Sequence, residues 1–177
     1  MGYAADAVFF GNSITRGSDF YKYFEDKRIV NLGYSGDSMK GMMRRMDMLR
    51  AVSPDKVFMM AGINGFASQS LDEFTQQYNA LTDSVRNACP QSEIYLESIL
   101  PVNHCRFDIY GSNDKIIAAN KIIATIAQQK GMTYMDLFSL YFMNGELPDE
   151  LTHDGIHLWP KSYDRWAETI RPYIYDE

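Results

Sequence analysis

Ser13 stands in the string Gly-Asn-Ser-Ile-Thr, directly after an apolar run, and Asp154-Gly-Ile-His157 stands near the other end of the chain. A serine hydroxyl is a weak nucleophile until a base takes its proton. His157 is suited to that task, because an Asp three residues earlier reaches the imidazole within one turn. Asp154 then fixes the tautomer and stabilises the imidazolium. These residue types are those of acyl transfer, with Ser13 attacking, His157 as general base and Asp154 orienting it. Attack on a carbonyl also creates an oxyanion, which needs donors worth a few kcal/mol in the transition state, about 3 each. The backbone N–H groups of Ser13 and Gly36 and the side-chain amide of Asn64 are the candidates. Each has a plainer reading as well. Asn and Gly are turn formers, and Gly36 also suits a positive φ angle.

The elements that must position these residues follow from hydrophobic patterning. Short apolar runs at residues 7–10, 29–32, 56–61, 94–98 and 133–136 alternate with longer helical stretches. That alternation predicts βαβ units and a parallel sheet. The runs are continuous rather than alternating, as expected of strands covered on both faces. Leu71, Phe74, Tyr78, Leu81 and Val85 form one apolar stripe, predicting a helix over residues 71–88 that opens with a Ser70/Glu73 capping box. Further helices are predicted over residues 114–130, 161–173 and 39–49, with a weak one over 19–26. The whole of residues 1–177 reads as one doubly wound α/β domain. In such sheets ligands sit beyond the carboxyl ends of the strands. Segments 11–17, 33–38, 62–68, 100–113 and 137–158 leave those ends, and four of them hold Ser13, Gly36, Asn64, and Asp154 with His157.

Composition narrows the partners. The chain has 177 residues, enough for a single core, with 46% hydrophobic and 23% charged residues. A net charge of −6 argues against nucleic acid, which needs a basic surface. The basic cluster at residues 40–50 is interleaved with methionines and reads as a helix with one solvated side. No apolar run approaches the ~18 residues of a membrane span. The first ten residues lack the pattern of a signal peptide. The sequence favours the cytoplasm, or the periplasm or exterior if a leader has been removed. Cys89 and Cys105 show no metal or redox spacing and read as buried free thiols. Neither a P-loop nor a dinucleotide fingerprint is present. Oligomeric state is left open.

Four blocks in order, Phe-Phe-Gly-Asn-Ser-Ile-Thr, Asn-Leu-Gly-Tyr-Ser-Gly-Asp, Gly-Ile-Asn and Asp-Gly-Ile-His-Leu, resemble the SGNH hydrolase superfamily, also called GDSL-type esterases. The resemblance spans essentially the whole chain. It implies a flavodoxin-like three-layer α/β/α sandwich, a five-stranded parallel sheet of order 2-1-3-4-5, and no metal or organic cofactor. It also implies a serine esterase working through an acyl-Ser13 intermediate. The blocks look most like the bacterial carbohydrate O-acetylesterase branch, so the expected partner is a small ester, an acetylated sugar in particular. A thioesterase or lysophospholipase on the same site is the alternative. Two departures, Asn12 and Gly65 where the family has Asp, motivate a further alternative, a catalytically weak binding module that kept the fold.

Substrate contacts are sought beside these blocks. Phe66 and Trp159 flank site residues and are candidate walls of a pocket. The long segment after the fourth strand carries Asn103, His104 and Tyr110, and a stretch of that length without evident structure is often functional. His153, next to Asp154, reads as a surface or rim residue.

Overall fold

A computed structural model describes residues 4–177, apart from the side chains of Cys105, Phe107 and Asp108. The readings of the first three residues and of the Cys105 thiol therefore lie outside the described part. Five strands form one parallel sheet: β1 (Ala7–Gly11), β2 (Ile29–Gly33), β3 (Lys56–Met60), β4 (Glu93–Glu97) and β5 (Thr133–Met135). Their order is β2-β1-β3-β4-β5, the flavodoxin-like order implied by the resemblance. The register aligns Gly11 with Gly33 and Met60, Met60 with Glu97, and Glu97 with Met135. All five strands thus end on one row, and the segments that leave them share one edge.

The helices are α1 (Ser13–Arg16), α2 (Phe20–Tyr23), α3 (Met39–Met43), α4 (Met46–Val52), α5 (Leu71–Ala88), α6 (Phe107–Tyr110), α7 (Asn113–Lys130), α8 (Phe138–Tyr141) and α9 (Asp164–Tyr175). The paired residues Phe9, Phe58 and Tyr95 stack across β1, β3 and β4 at centroid distances of 5.2 and 4.5 Å. Phe20 of α2 lies on Phe9 at 3.7 Å, and Trp166 of α9 meets Phe20 edge-on. Helices α3, α4, α5 and α7 pack against one another as the layer on the other face. The Ser70/Glu73 capping box forms, with Glu73 N–H donating to Ser70 Oγ and Ser70 N–H to Glu73 Oε2.

Two expectations about elements are corrected. The helix expected over residues 39–49 is two, α3 and α4, broken at Arg44–Arg45. Arg45 turns its side chain toward the sheet, donating to Leu32 O (3.0 Å) and Asp37 Oδ2 (2.6 Å). The segment expected to be loop over residues 101–113 contains a 3₁₀ turn, His104–Arg106, followed by α6. Short α1 and α8 had no periodicity to reveal them, because one turn holds too few residues to draw a stripe.

Candidate active site

The site begins with the tightness of the turn after β1. Gly33 lies so close to α1 that an added Cβ would sit 2.2 Å from Arg16 N, so glycine is required for that helix to rest on the strand ends. Asn12 caps α1, its Oδ1 accepting from Ile14 N–H at 2.9 Å. Ser13 is therefore the first helical residue, held at the sheet edge by the cap before it and the strand beneath it.

The other end of the chain is folded onto this turn. Asp154 Oδ1 accepts the backbone N–H groups of Ile156 (3.0 Å) and His157 (2.8 Å), and Oδ2 lies 2.6 Å from His157 Nδ1. His157 Nε2 lies 2.8 Å from Ser13 Oγ. Ser13, His157 and Asp154 thus form a continuous hydrogen-bonded chain across 141 residues of sequence from Ser13 to Asp154 (154 − 13). Partial burial raises the Asp154 carboxyl, but the ring and backbone donors of His157 and the N–H of Ile156 outweigh it and hold the group down at about 2. Asp154 is accordingly an anion at any pH near neutral, which keeps the proton on Nδ1 and leaves Nε2 as an acceptor toward Ser13.

Gly36 and Asn64 occupy the neighbouring strand ends. Gly36 has φ +73, so the left-handed requirement suspected from the sequence is present. Asn64 Nδ2 donates to Asp37 O at 2.8 Å, which ties the loop after β3 to the loop after β2. Asp37 is itself paired with Arg45 at 2.6 Å, largely out of solvent. The departure at Gly65 thus leaves Asn64 with a backbone anchor in place of a neighbouring carboxylate.

A cavity of about 820 Å³ opens beside Ser13 and His157, walled in part by Arg16, Ser35, His153 and Trp159. Trp159, 47% exposed, lies there as the sequence suggested, and His153 is on the rim, with its ring 5.1 Å from that of Trp159. Four expected substrate contacts lie elsewhere. Phe66 is buried edge-on against Phe74, with the Lys115 ammonium 4.7 Å above its ring. Asn103 is also buried, donating to Leu147 O and Asp149 Oδ1 at 2.9 Å each. His104 is exposed and paired with Glu146, and Tyr110 is half-buried against the core. The segment carrying them serves the site from behind: Asn103 N–H donates to Gly155 O (2.8 Å) and Arg106 Nε to Asp154 O (2.6 Å). It buttresses the loop that presents His157.

Arg16 and Ser35 were missed as cavity residues. Both lie in segments that leave strand ends, and that position was the available signal. His153, Asp154 and His157 bring potential metal-ligand atoms within 4.8 Å of one another. Two of those residues already satisfy each other through the Nδ1–Oδ2 bond, so an ion there would compete with it.

The model of the GDSL-like lipase/acylhydrolase family matches residues 9–165. No curated protein matches the sequence. Among solved structures, a protein from Streptococcus pneumonia, provisionally named for platelet activating factor, is 27% identical with a TM-score of 0.87, over 97% of this chain and 85% of that one. A GDSL-like lipase from Bacteroides thetaiotaomicron is 22% identical with a TM-score of 0.81, over 96% and 87%. An acetyl xylan esterase is 20% identical with a TM-score of 0.75, over 94% and 98%.

Proposed function

The chain belongs to the GDSL-like lipase/acylhydrolase family and is a carboxylic-ester hydrolase, and from that premise we propose that it removes a small acyl group, an O-acetyl on a carbohydrate, through an acyl-Ser13 intermediate. The observation that carries this reading is the chain of contacts from Ser13 Oγ to His157 Nε2 (2.8 Å) and from His157 Nδ1 to Asp154 Oδ2 (2.6 Å).

In the first half-reaction Ser13 Oγ bonds to the ester carbonyl carbon while His157 Nε2 takes the hydroxyl proton. The carbonyl oxygen becomes an oxyanion, met by the N–H groups of Ser13 and Gly36 and by Asn64. The Asn64 amide has two donors. One is spent on Asp37 O, which aims the group and leaves the other for the oxyanion. Collapse breaks the bond to the alcohol, which leaves with the proton from His157. Water then attacks the acyl-serine as His157 takes its proton, and the released carboxylate leaves Ser13 reprotonated.

The acetyl and sugar parts rest on the surroundings. The cavity is open, which suits a bulky polar alcohol better than a long buried chain. Trp159 offers an exposed aromatic face beside the nucleophile, a surface on which the C–H face of a sugar ring packs. An acetyl xylan esterase shares this fold. The alternative of a catalytically weak binding module, motivated by Asn12 and Gly65, loses its footing where Asn12 still caps α1 and Asn64 is still anchored.

The test is hydrolysis of 4-nitrophenyl acetate and of acetylated xylo-oligosaccharides by the protein and by Ser13→Ala. Turnover should fall on the order of 10⁴-fold or more in the variant. Equal slow hydrolysis by both would end the reading. Preference for 4-nitrophenyl esters of long acyl chains over acetate would replace the acetyl-sugar substrate with a lipid or thioester one.

A further inference from the structure

Ester cleavage as described leaves one charged group in the cavity without a task. Arg16 lies one turn beyond Ser13 on α1 and lines the same cavity as Ser35, His157 and Trp159. Its guanidinium donates from Nη1 to Ser35 Oγ at 3.1 Å. No ion pair to it exists among the described residues, whereas Arg28, Arg45 and Arg50 each face an Asp. The described residues lining the cavity include no Asp or Glu, although the chain as a whole carries a net charge of −6. The described lining thus carries one permanent cation, Arg16, beside the nucleophile, while the Asp154 anion sits behind His157 and is engaged by it.

An exposed arginine on a surface means little by itself. Here three things combine: its place one turn from the attacking hydroxyl, its anchoring by a hydroxyl rather than a carboxylate, and the acid-free wall around it. A guanidinium whose donors are mostly unspent is matched by a planar or tetrahedral oxyanion, which it grips with two parallel hydrogen bonds. A cleft lined by one sign of charge also concentrates ligands of the other.

We propose that Arg16 is an anion-binding subsite, and that the preferred substrates are acetyl esters whose alcohol carries a carboxylate or a phosphate. The inference rests on the ester-hydrolase reading and deepens it, making the alcohol an acidic sugar. The anion must belong to the alcohol, because an acetyl group has nowhere to hold one.

Three aryl esters that differ in one substituent test this: phenyl acetate, 3-acetoxybenzoate and 3-acetoxyphenyl phosphate. The readout is the ratio of kcat/KM for each anionic ester to that for phenyl acetate, in the wild-type protein and in Arg16→Gln. Comparing the two proteins cancels differences between leaving groups. The ratio for at least one anionic ester should fall on the order of tenfold in Arg16→Gln, mainly through KM, and be partly kept in Arg16→Lys. In the wild type it should also shrink as NaCl is raised, since exposed pairs are screened. Whether carboxylate or phosphate shows the effect identifies the source of the anion. Ratios that are the same in wild type and Arg16→Gln would overturn the subsite, as would failure to cleave either anionic ester while phenyl acetate is turned over. If phenyl acetate hydrolysis does not depend on Ser13, the ester-hydrolase reading falls and the subsite falls with it.

Discussion

Asp154 uses its two carboxylate oxygens for different ends. Oδ1 closes a tight turn by accepting from Ile156 and His157, and Oδ2 holds the imidazole of the same His157. One side chain therefore shapes the loop and orients the base, which is why a spacing of three residues suffices. Its carboxyl, raised by burial but brought down to about 2 by those donors, gains native-state stability above its ordinary value of 3.8 and loses it as pH falls toward about 2. Activity near neutrality is thus insensitive to this proton. Asp154→Asn should lower kcat for 4-nitrophenyl acetate by roughly 10³–10⁴-fold, because the amide permits the wrong imidazole tautomer. The loss should be similar across the neutral range. A loss below tenfold would remove Asp154 from the reaction. Asn12 makes a related point: its cap needs an acceptor oxygen and no charge, so the replacement of the family's Asp leaves α1 capped. Its Nδ2 is buried without a partner among the described residues.

At the scale of elements, short connections set the site rather than long helices. Arg45, at the break between α3 and α4, reaches Gly11 O at the end of β1 (3.3 Å), Leu32 O in β2 and Asp37 in the loop after β2. It joins the segments that carry Ser13 and Gly36. Removing one member of a mostly buried ion pair strands the other, at a cost of about 3 kcal/mol or more. Arg45→Ala should therefore lower stability to urea by about that amount, and lower kcat more than it raises KM, because the donors lose their setting. Unchanged stability would show that Asp37 finds solvent without cost. The 3₁₀ turn at His104–Arg106 has the parallel role behind His157, through Asn103 and Arg106.

At the scale of the whole molecule, the sheet carries a buried acid at the end of β4. Glu97 is fully buried, with Oε1 accepting from Trp166 Nε1 at 2.8 Å and Oε2 without a partner among the described residues. Burial pushes its carboxyl up to about 8, with the Trp166 hydrogen bond opposing, so the group stays protonated at neutral pH. The folded value is above the ordinary 4.5, so the native state binds the proton more tightly than the unfolded chain. Stability from this group is full below about 4.5 and is lost as pH rises toward about 8, by about 1.4 kcal/mol per pH unit. Glu97→Gln keeps an acceptor for Trp166 and removes the titration. Its urea midpoint should gain on the wild type as pH rises through this window and match it most closely at the acid end. Equal pH dependence in the two proteins would place the lost proton elsewhere.

The amino-acid sequence by itself determined the five strands, the long helices and the Asp154-x-x-His157 unit. Each depends on residues near one another in the chain: a run of buried side chains, a cap three residues from its partner, a carboxylate one turn from its imidazole. The meeting of Ser13 with His157 was legible only because four blocks recur in order. Tertiary structure alone decided which aromatics face the cavity and which fill the core. Phe66 and Trp159 are equally apolar neighbours of site residues, yet one is enclosed by α5 and α7 and the other is left bare at the mouth. Burial is a property of what packs against a side chain, and the packing comes from elements far away in sequence. For the same reason Asn103 became a buttress, and Arg16 became visible as a cation in the cavity only once the strand ends were aligned.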